Sequence, residues 1–238
     1  MNEFPEISAK VTNKLEVLVR ANQPGINLEE PLYAVNWFST KRESIYHFYN
    51  FLAARSVRKI GGRAFFKAKI TETILDEANG KRDLILIVRY PGGQNFKSLM
   101  ESTYFKMVSI FRIMSVSKFT FGFTHKLIAD TESKPADNLH YAIHHFKIDS
   151  NSKDVLEAIQ NEIIDHVSIK YAGHVVATLN SKEKDQPIQQ IPSLMDALLI
   201  FQSSDKNQLR KLFDSIEYQK ILKGLSSSHI SLLKRISV

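Results

Sequence analysis

The chain contains no cysteine, which excludes disulfide bonds, thiolate metal ligands and a cysteine nucleophile. It also has no long apolar run, because the longest one, residues 84–88, has the length of a strand and is too short to span a bilayer. The first ten residues carry two acids and no apolar stretch of the kind found in secretory signals. These absences predict a soluble, cytoplasmic protein without a membrane partner.

Catalytic motifs are absent too. The sequence has neither a glycine-rich phosphate-binding loop nor a nucleophile elbow, and spacing alone groups no serine, histidine and aspartate. The sequence therefore leaves open whether the protein is an enzyme. Its hydrophobic fraction of 43% and its 15 phenylalanines do supply ample material for a buried core.

What the chain does contain is one series of elements that occurs twice. Hydrophobic periodicity and turn residues predict the order strand–helix–strand–strand–helix–strand over residues 32–129 and again over residues 139–238. Residues 130–138, which include Pro135, are predicted to be a linker. The βαββαβ order is that of a ferredoxin-like domain, in which a four-stranded antiparallel sheet carries both helices on one face.

An N-terminal extension, residues 1–31, lies outside this repeat. Its apolar residues Ile7, Val11, Leu15 and Leu18 recur at helical spacing. We expect a helix here that packs on the first domain.

The second helix of each copy is predicted to be broken at a serine. Its apolar stripe changes phase across residues 101–104 in the first copy and across residues 214–217 in the second. A helix with 3.6 residues per turn cannot present both stripes to one core. We therefore expect breaks at Ser102 and Ser215, and their recurrence indicates that the two copies are related.

The first helix of each copy is predicted to end at a glycine. Gly61 and Gly62 follow the first of these helices, and glycine adopts a left-handed C-cap at no steric cost. In the second copy the helix is predicted over residues 153–171, with Gly173 in the place of Gly62.

The first strand is apolar on both faces, with Tyr33, Val35 and Trp37 on one of them. A bare sheet face of this kind would expose more than the few hundred Å² that monomers usually tolerate. We expect the two sheets to pack on each other within one chain as an intramolecular pseudo-dimer. The competing arrangement is a homodimer in which each sheet pairs with the same domain of another chain.

Several short motifs stand together in the first copy: Gly61-Gly62-Arg63-Ala64, DLILIVRYP at residues 83–91, Phe96, and ESTY at residues 101–104. Together they resemble an uncharacterised family, a domain of unknown function, within the dimeric α+β barrel superfamily. Its members read Gly-Gly-Arg before the second strand, Val-Arg-Tyr-Pro after the third and Pro-Glu-Tyr-Gln in the second helix. Residues 215–219 of the second copy match the helix motif as well.

This resemblance implies an α+β protein with two ferredoxin-like domains in tandem. It matches Asn36 to an asparagine of the first strand, and Arg112 to the arginine of a His-Arg pair whose histidine is replaced here by Phe111. The superfamily includes cofactor-independent monooxygenases and isomerases, so the resemblance implies by analogy a pocket for a small molecule.

The candidate ligand-binding residues of the first copy are one asparagine and three arginines. Asn36 is a lone amide in an apolar strand, where it either satisfies backbone groups or orients a ligand. Arg63, Arg89 and Arg112 lie near strand ends, and if they converge they would bind a planar anion such as a carboxylate or an enolate. The alternative is that each arginine extends from a sheet edge into water.

His144 and His174 are the candidates of the second copy, on two strands expected to lie close together. A metal would need a third ligand that the sequence does not supply, and no histidine is marked as a proximal haem ligand. We therefore predict neither a metal nor any other cofactor.

Three functions remain open at this point. The first is a cofactor-free pocket that binds or converts a small apolar acid or carbonyl compound, and the second is a non-catalytic assembly or scaffold protein. The third and least favoured is weak nucleic-acid binding. It rests on the net charge of +7, all of it in residues 1–130, which hold 19 basic and 12 acidic side chains.

Overall fold

The computed structural model describes residues 29–77, 82–129, 138–147, 159, 166–176 and 197–236. The predicted extension up to residue 28 and the linker residues 130–137 lie outside the described residues. The strands are β1 (Leu32–Thr40), β2 (Arg63–Asp76), β3 (Leu84–Tyr90), β4 (Val116–Ala129), β5 (His140–Lys147), β6 (Val167–Val176), β7 (Ala197–Ser203) and β8 (Ser227–Arg235). The described helices are α1 (Glu43–Lys59), α2 (Gly93–Glu101), α3 (Thr103–Ser115), α4 (Lys206–Asp214) and α5 (Ile216–Lys223).

The eight strands form one closed antiparallel barrel in the order β1-β3-β2-β8-β5-β7-β6-β4. Each half of the chain contributes four neighbouring strands, and the halves meet at two seams. At one seam β2 pairs with β8, from Ala68↔Arg235 to Asp76↔His229, and at the other β4 pairs with β6. The predicted two packed sheets are thus one continuous sheet, because pairing at both seams satisfies the backbone groups that sheet edges would leave open.

The barrel encloses an apolar core to which both halves contribute. Tyr33, Val35 and Trp37 all point into it, each at most 1% exposed, which explains why β1 is apolar on its helix-free face. Ile143 and Ile200 reach the same core from the second half. The faces that would be bare in two separate sheets are therefore buried against each other inside the barrel.

The helices cover the outside of the barrel. In the first half, Leu99 of α2 and Val108 of α3 pack on outward-facing residues of the sheet such as Phe123. In the second half, Leu212 of α4 and Tyr218 of α5 do the same. None of the helices in the described part of the chain is long and apolar enough to cross a membrane.

The helix breaks predicted at Ser102 and Ser215 are confirmed. Each serine ends one helix and caps the next, with similar backbone angles of φ −61°, ψ 121° and φ −63°, ψ 146°. The Ser102 hydroxyl accepts from the backbone N–H of Phe105 at 3.4 Å, and the Ser215 hydroxyl accepts from that of Tyr218 at 3.2 Å. The same cap recurs in both halves, which supports the predicted tandem repeat.

The helix predicted over residues 153–171 of the second copy is wrong at its C-terminal end. Residues 167–171 belong to β6, because Val167 and Ile169 favour extended backbone and place their side chains in a sheet. Gly173 therefore lies inside a strand and does not correspond to Gly62. A Cβ at Gly173 would lie 2.6 Å from the Tyr171 hydroxyl, so glycine leaves room for that ring.

The cap at Ser215 should contribute measurably to stability. We expect Ser215→Ala to lower the free energy of unfolding by about 1 kcal/mol, since the α5 N–H group that it satisfies would lose its partner. Urea unfolding measures the change, with Ser226→Ala at an exposed position between α5 and β8 as the control. Equal stability of the two variants would show that the serine is not a cap.

Candidate functional site

Two of the predicted arginines lie side by side at one end of the barrel. Arg63 of β2 is the direct cross-strand partner of Arg89 of β3, and Arg89 is in turn the partner of Tyr33 of β1. Arg89 continues the inward-facing alternation of Ile85 and Ile87, and its guanidinium acts electrostatically on the Tyr33 hydroxyl. The strand register thus places two guanidinium groups and a phenol in one row.

The charge of this row is uncompensated within the described part of the chain. No carboxylate there lies within ion-pair distance of Arg63 or Arg89. Like charges that face each other across a strand pair are destabilising, so an anion would be favoured at this position. Arg63 is exposed and Arg89 half-buried, which leaves both guanidinium groups within reach of solutes.

Aromatic rings form the apolar surface beside these arginines. The rings of Tyr33, Phe65 and Tyr171 lie with centroids 5.2 to 5.5 Å apart. The Tyr171 hydroxyl is 2.7 Å from that of Thr124, which holds the ring in place. Burial raises the pKa of Tyr33 above its usual value of 10, while Arg89 and Arg63 act to lower it. Tyr33 therefore keeps its proton at neutral pH.

The other two first-half candidates lie on the outer face of the sheet and do not join this row. The Asn36 amide donates to the carbonyl oxygens of Ala34 at 3.2 Å and Leu86 at 3.1 Å, so it satisfies backbone groups. Arg112 belongs to α3, and its guanidinium lies 4.4 Å from the ring centroid of Phe119. The sheet separates both residues from Arg63 and Arg89.

The second-half candidates are separated from each other by a strand. His144 lies on β5 opposite Leu199 of β7, and His174 lies on β6 opposite Ala197 of β7. His144 is fully buried, with Nδ1 2.8 Å from the Tyr218 hydroxyl and Nε2 3.1 Å from the Ser228 hydroxyl. Burial, helped by His229, lowers the pKa of His144 to about 3, so its imidazole is neutral.

At the opposite end of the barrel, the structure assembles a polar chain that the sequence did not suggest. The Asp76 carboxylate lies 3.1 Å from Nδ1 of His229, and Nε2 of His229 lies 3.0 Å from the Ser231 hydroxyl. Ser231 in turn lies 3.4 Å from the Thr73 hydroxyl. Both ring nitrogens of His229 therefore have a side-chain hydrogen-bond partner. Burial lowers the pKa of His229, and Asp76 opposes that change.

Next to this chain, His145 stacks on Trp37 with ring centroids 5.1 Å apart. Both His145 ring nitrogens and Nε1 of Trp37 are buried without a hydrogen-bond partner among the described residues. Burial lowers the pKa of His145 well below 6.5, with smaller contributions from His229 and His144. A sequence signal did exist: His229 and Ser231 are polar residues at alternate positions of an apolar strand, which points both to one face.

The described residues form no metal site at either end of the barrel. Among the residues that the structure describes, no group of three or more histidine and acidic side chains is arranged to hold a metal ion. The polar groups described there are Arg63 and Arg89 at one end, and at the other end buried imidazoles together with Arg82, Asp76 and Glu77. Their chemistry suits hydrogen bonding and anion recognition.

Comparison with known proteins adds information about the fold. No family model matches the chain, and no curated protein matches it. A solved structure described as a "Putative monooxygenase" from Fusobacterium nucleatum has a TM-score of 0.57 at 12% identity, over 89% of this chain and 94% of that one. The structure of an anthrone oxidase-like protein has a TM-score of 0.53 at 8% identity, over 87% of this chain and 92% of that one.

The chain has the dimeric α+β barrel fold. The predicted fold is thereby confirmed, whereas membership of the superfamily stays a prediction, since identities this low show the fold alone. Membership of the particular uncharacterised family stays a prediction, as does the division into two domains.

The three buried imidazoles predict a loss of stability in acid. In the folded protein they stay neutral below pH 6.5, whereas in the unfolded chain each binds a proton near its ordinary pKa of 6.5. The unfolded state therefore binds more protons as the pH falls below about 6.5, and for His144 this difference persists towards pH 3. The free energy of unfolding should drop across that window by up to about 1.4 kcal/mol per pH unit for each imidazole, which urea unfolding measures.

A matched pair of variants isolates one of these groups. His145→Phe keeps a ring against Trp37 but removes the titrating imidazole, so it should flatten the pH dependence by about one proton. Phe66→Leu alters the same buried core without removing a titratable group, so it should leave the slope unchanged. An unaltered slope in His145→Phe would contradict the assignment of a buried neutral imidazole.

Proposed function

We propose that the protein binds a small organic acid with an apolar body at the barrel end where Arg63 and Arg89 lie. The observation that carries this proposal is the pairing of these two guanidinium groups across neighbouring strands without a carboxylate partner in the described chain. A bound carboxylate would offset their repulsion through charge-assisted hydrogen bonds, which are stronger than neutral ones.

The neighbouring groups define how such an acid would be held. One carboxylate oxygen can accept from Arg89, and the other from Arg63, because the two residues are adjacent in the ladder. The apolar body of the acid would lie against the ring of Phe65, next to Tyr33 and Tyr171. The neutral Tyr33 phenol is a further donor, and it would also suit the oxygen of a carbonyl compound.

The fold supports a small-molecule ligand but assigns no reaction. The two similar structures are named for an oxidase-like protein and a monooxygenase, and both names refer to the conversion of small molecules. No general base lies in the row of Arg63, Arg89 and Tyr33. We therefore propose binding, without a cofactor, as the activity of this end of the barrel.

A second candidate function, assembly with a partner, is favoured by a different observation. Several large apolar side chains of α1 and α3 are exposed, with Phe51 76% and Ile113 69% accessible. A surface of that kind usually contacts another polypeptide or a membrane. Nucleic-acid binding has no comparable support and stays a prediction from charge alone.

Binding of carboxylates tests the first candidate. We expect benzoate or hexanoate to bind to the purified protein in calorimetry, and benzamide, which lacks the charge, to bind at least tenfold more weakly. Arg89→Gln should weaken benzoate binding about tenfold or more, since a hydrogen bond to a charged group contributes roughly 1.5–3 kcal/mol.

Arg112→Gln is the matched control. It removes an arginine that the sequence also nominated but that the structure places on α3, above Phe119. Benzoate binding should stay within twofold of the parent protein in this variant. Failure of the parent protein to bind either acid, or equal losses in Arg89→Gln and Arg112→Gln, would overturn the proposal.

A further inference from the structure

The strand pairing that aligns the two arginines in the first half recurs in the second half with different residues. Gln202 of β7 is the direct cross-strand partner of Tyr141 of β5 and of Ser168 of β6. Arg89 of β3 pairs in the same way with a tyrosine of β1 and an arginine of β2. We call the two sets the arginine row (Tyr33, Arg89 and Arg63) and the amide row (Tyr141, Gln202 and Ser168).

The two rows lie at the same end of the barrel, on opposite walls. β3 and β7 are four strands apart in the closed barrel of eight, so they lie opposite each other and run in the same direction. Arg89 and Gln202 each lie one residue before the end of their strand, which places both at the same end.

The distance between the walls limits the length of a ligand that contacts both rows. Opposite backbones of an eight-stranded barrel are about 16 Å apart, given the usual strand spacing and tilt. Side chains from both walls occupy much of that distance, as the stacking of Trp37 of β1 on His145 of β5 shows. A ligand that joins the two rows is therefore a short molecule.

The amide row offers a donor and an acceptor next to each other. Gln202 continues the inward-facing alternation of Leu198 and Ile200; it is half-buried, and Ser168 is exposed. Nε2 of Gln202 donates to the Ser168 hydroxyl oxygen at 3.1 Å. With this bond in place, the amide oxygen of Gln202 can still accept and the hydroxyl of Ser168 can still donate.

We infer that the ligand of this end of the barrel is a short acid whose far end carries a primary carboxamide, as in the monoamide of a dicarboxylic acid. The inference rests on the proposed binding of a carboxylate by the arginine row. A carboxamide has an N–H donor and an oxygen acceptor, which match the Gln202 oxygen and the Ser168 hydroxyl. The methylene chain between the two ends would lie against the rings of Tyr33 and Phe65.

The amide row disfavours the two nearest alternatives to a carboxamide. A second carboxylate has acceptors only, so it would face the amide oxygen of Gln202 with no proton between them, and this row supplies no cation. A methyl group would displace water from Gln202 and Ser168 without replacing its hydrogen bonds, which is costly. The difference between the rows therefore also orients the ligand, with its carboxylate on the arginines.

Calorimetry with three acids of nearly equal length tests the inference on the full-length protein at pH 7. Glutaramate ends in a carboxamide, glutarate in a second carboxylate and hexanoate in a methyl group. We expect glutaramate to bind about tenfold more tightly than hexanoate, because it gains two hydrogen bonds at the amide row. Glutaramate should also bind more tightly than glutarate.

Substitutions at Gln202 locate the origin of this preference. Gln202→Leu should weaken glutaramate binding about tenfold without weakening hexanoate binding. The matched control is Gln208→Leu, the same change on α4 outside the barrel, which should leave the binding of both acids within twofold of the parent protein. Gln202→Arg reproduces Arg89 in the second half, so it should reverse the preference and make glutarate bind more tightly than glutaramate.

The results separate this inference from the function on which it rests. If hexanoate binds to the parent protein and glutaramate binds no more tightly, the inference is wrong while carboxylate binding stands. If neither acid binds, both are overturned. A preference for glutaramate that persists in Gln202→Leu, or equal losses in Gln202→Leu and Gln208→Leu, would overturn the inference alone, since contact with the amide row would not be the cause.

Discussion

Backbone hydrogen bonding along two seams, β2 with β8 and β4 with β6, determines the rest of this structure. An open four-stranded sheet has two unpaired edges and an apolar face without helices, and both are unfavourable in water. Joining the edges of one half to those of the other removes both unfavourable features. The backbone groups at the sheet edges become hydrogen-bonded, and the helix-free faces are buried in one shared core.

Closure also decides where polar groups can act. The middle of the barrel is filled by apolar side chains, so polar residues on the inner face gather at its two ends. Register places Arg63, Arg89 and Tyr33 in one row at the first end, where charge can meet solvent. At the second end His145 and His229 are buried, and their imidazoles are kept neutral by desolvation. The first end therefore suits an anion, whereas at the second end His229 lies between the Asp76 carboxylate and the Ser231 hydroxyl.

Local features of the fold could be predicted from the sequence, and long-range ones could not. The breaks at Ser102 and Ser215 follow from apolar phase within a few residues, and the C-cap at Gly61, with φ of +78°, follows from its residue type. The pairing of β2 with β8 joins residues more than 150 positions apart, and nothing local encodes it. Residues 167–171 were predicted as helix because apolar periodicity over so few residues does not separate a buried strand from a helix.

In the candidate site, too, local features could be predicted from the sequence and long-range contacts could not. Arg63 and Arg89 could be named because each lies beside a turn, and their adjacency follows from β2 and β3 being consecutive in the chain. Arg112 could not be separated from them without knowing which face of the sheet it covers. The contact of Asp76 with His229 could not be predicted from the sequence, because it forms only where β2 pairs with β8.

Closure of the barrel within one chain is the central claim, and a disulfide across a seam tests it most directly. Lys69 of β2 and Lys234 of β8 are exposed cross-strand partners, and the chain has no other cysteine to compete. The double variant Lys69→Cys/Lys234→Cys should oxidise to a species that runs as a monomer on a denaturing gel. A disulfide-linked dimer as the main product would contradict the account, since the seam would then join two chains.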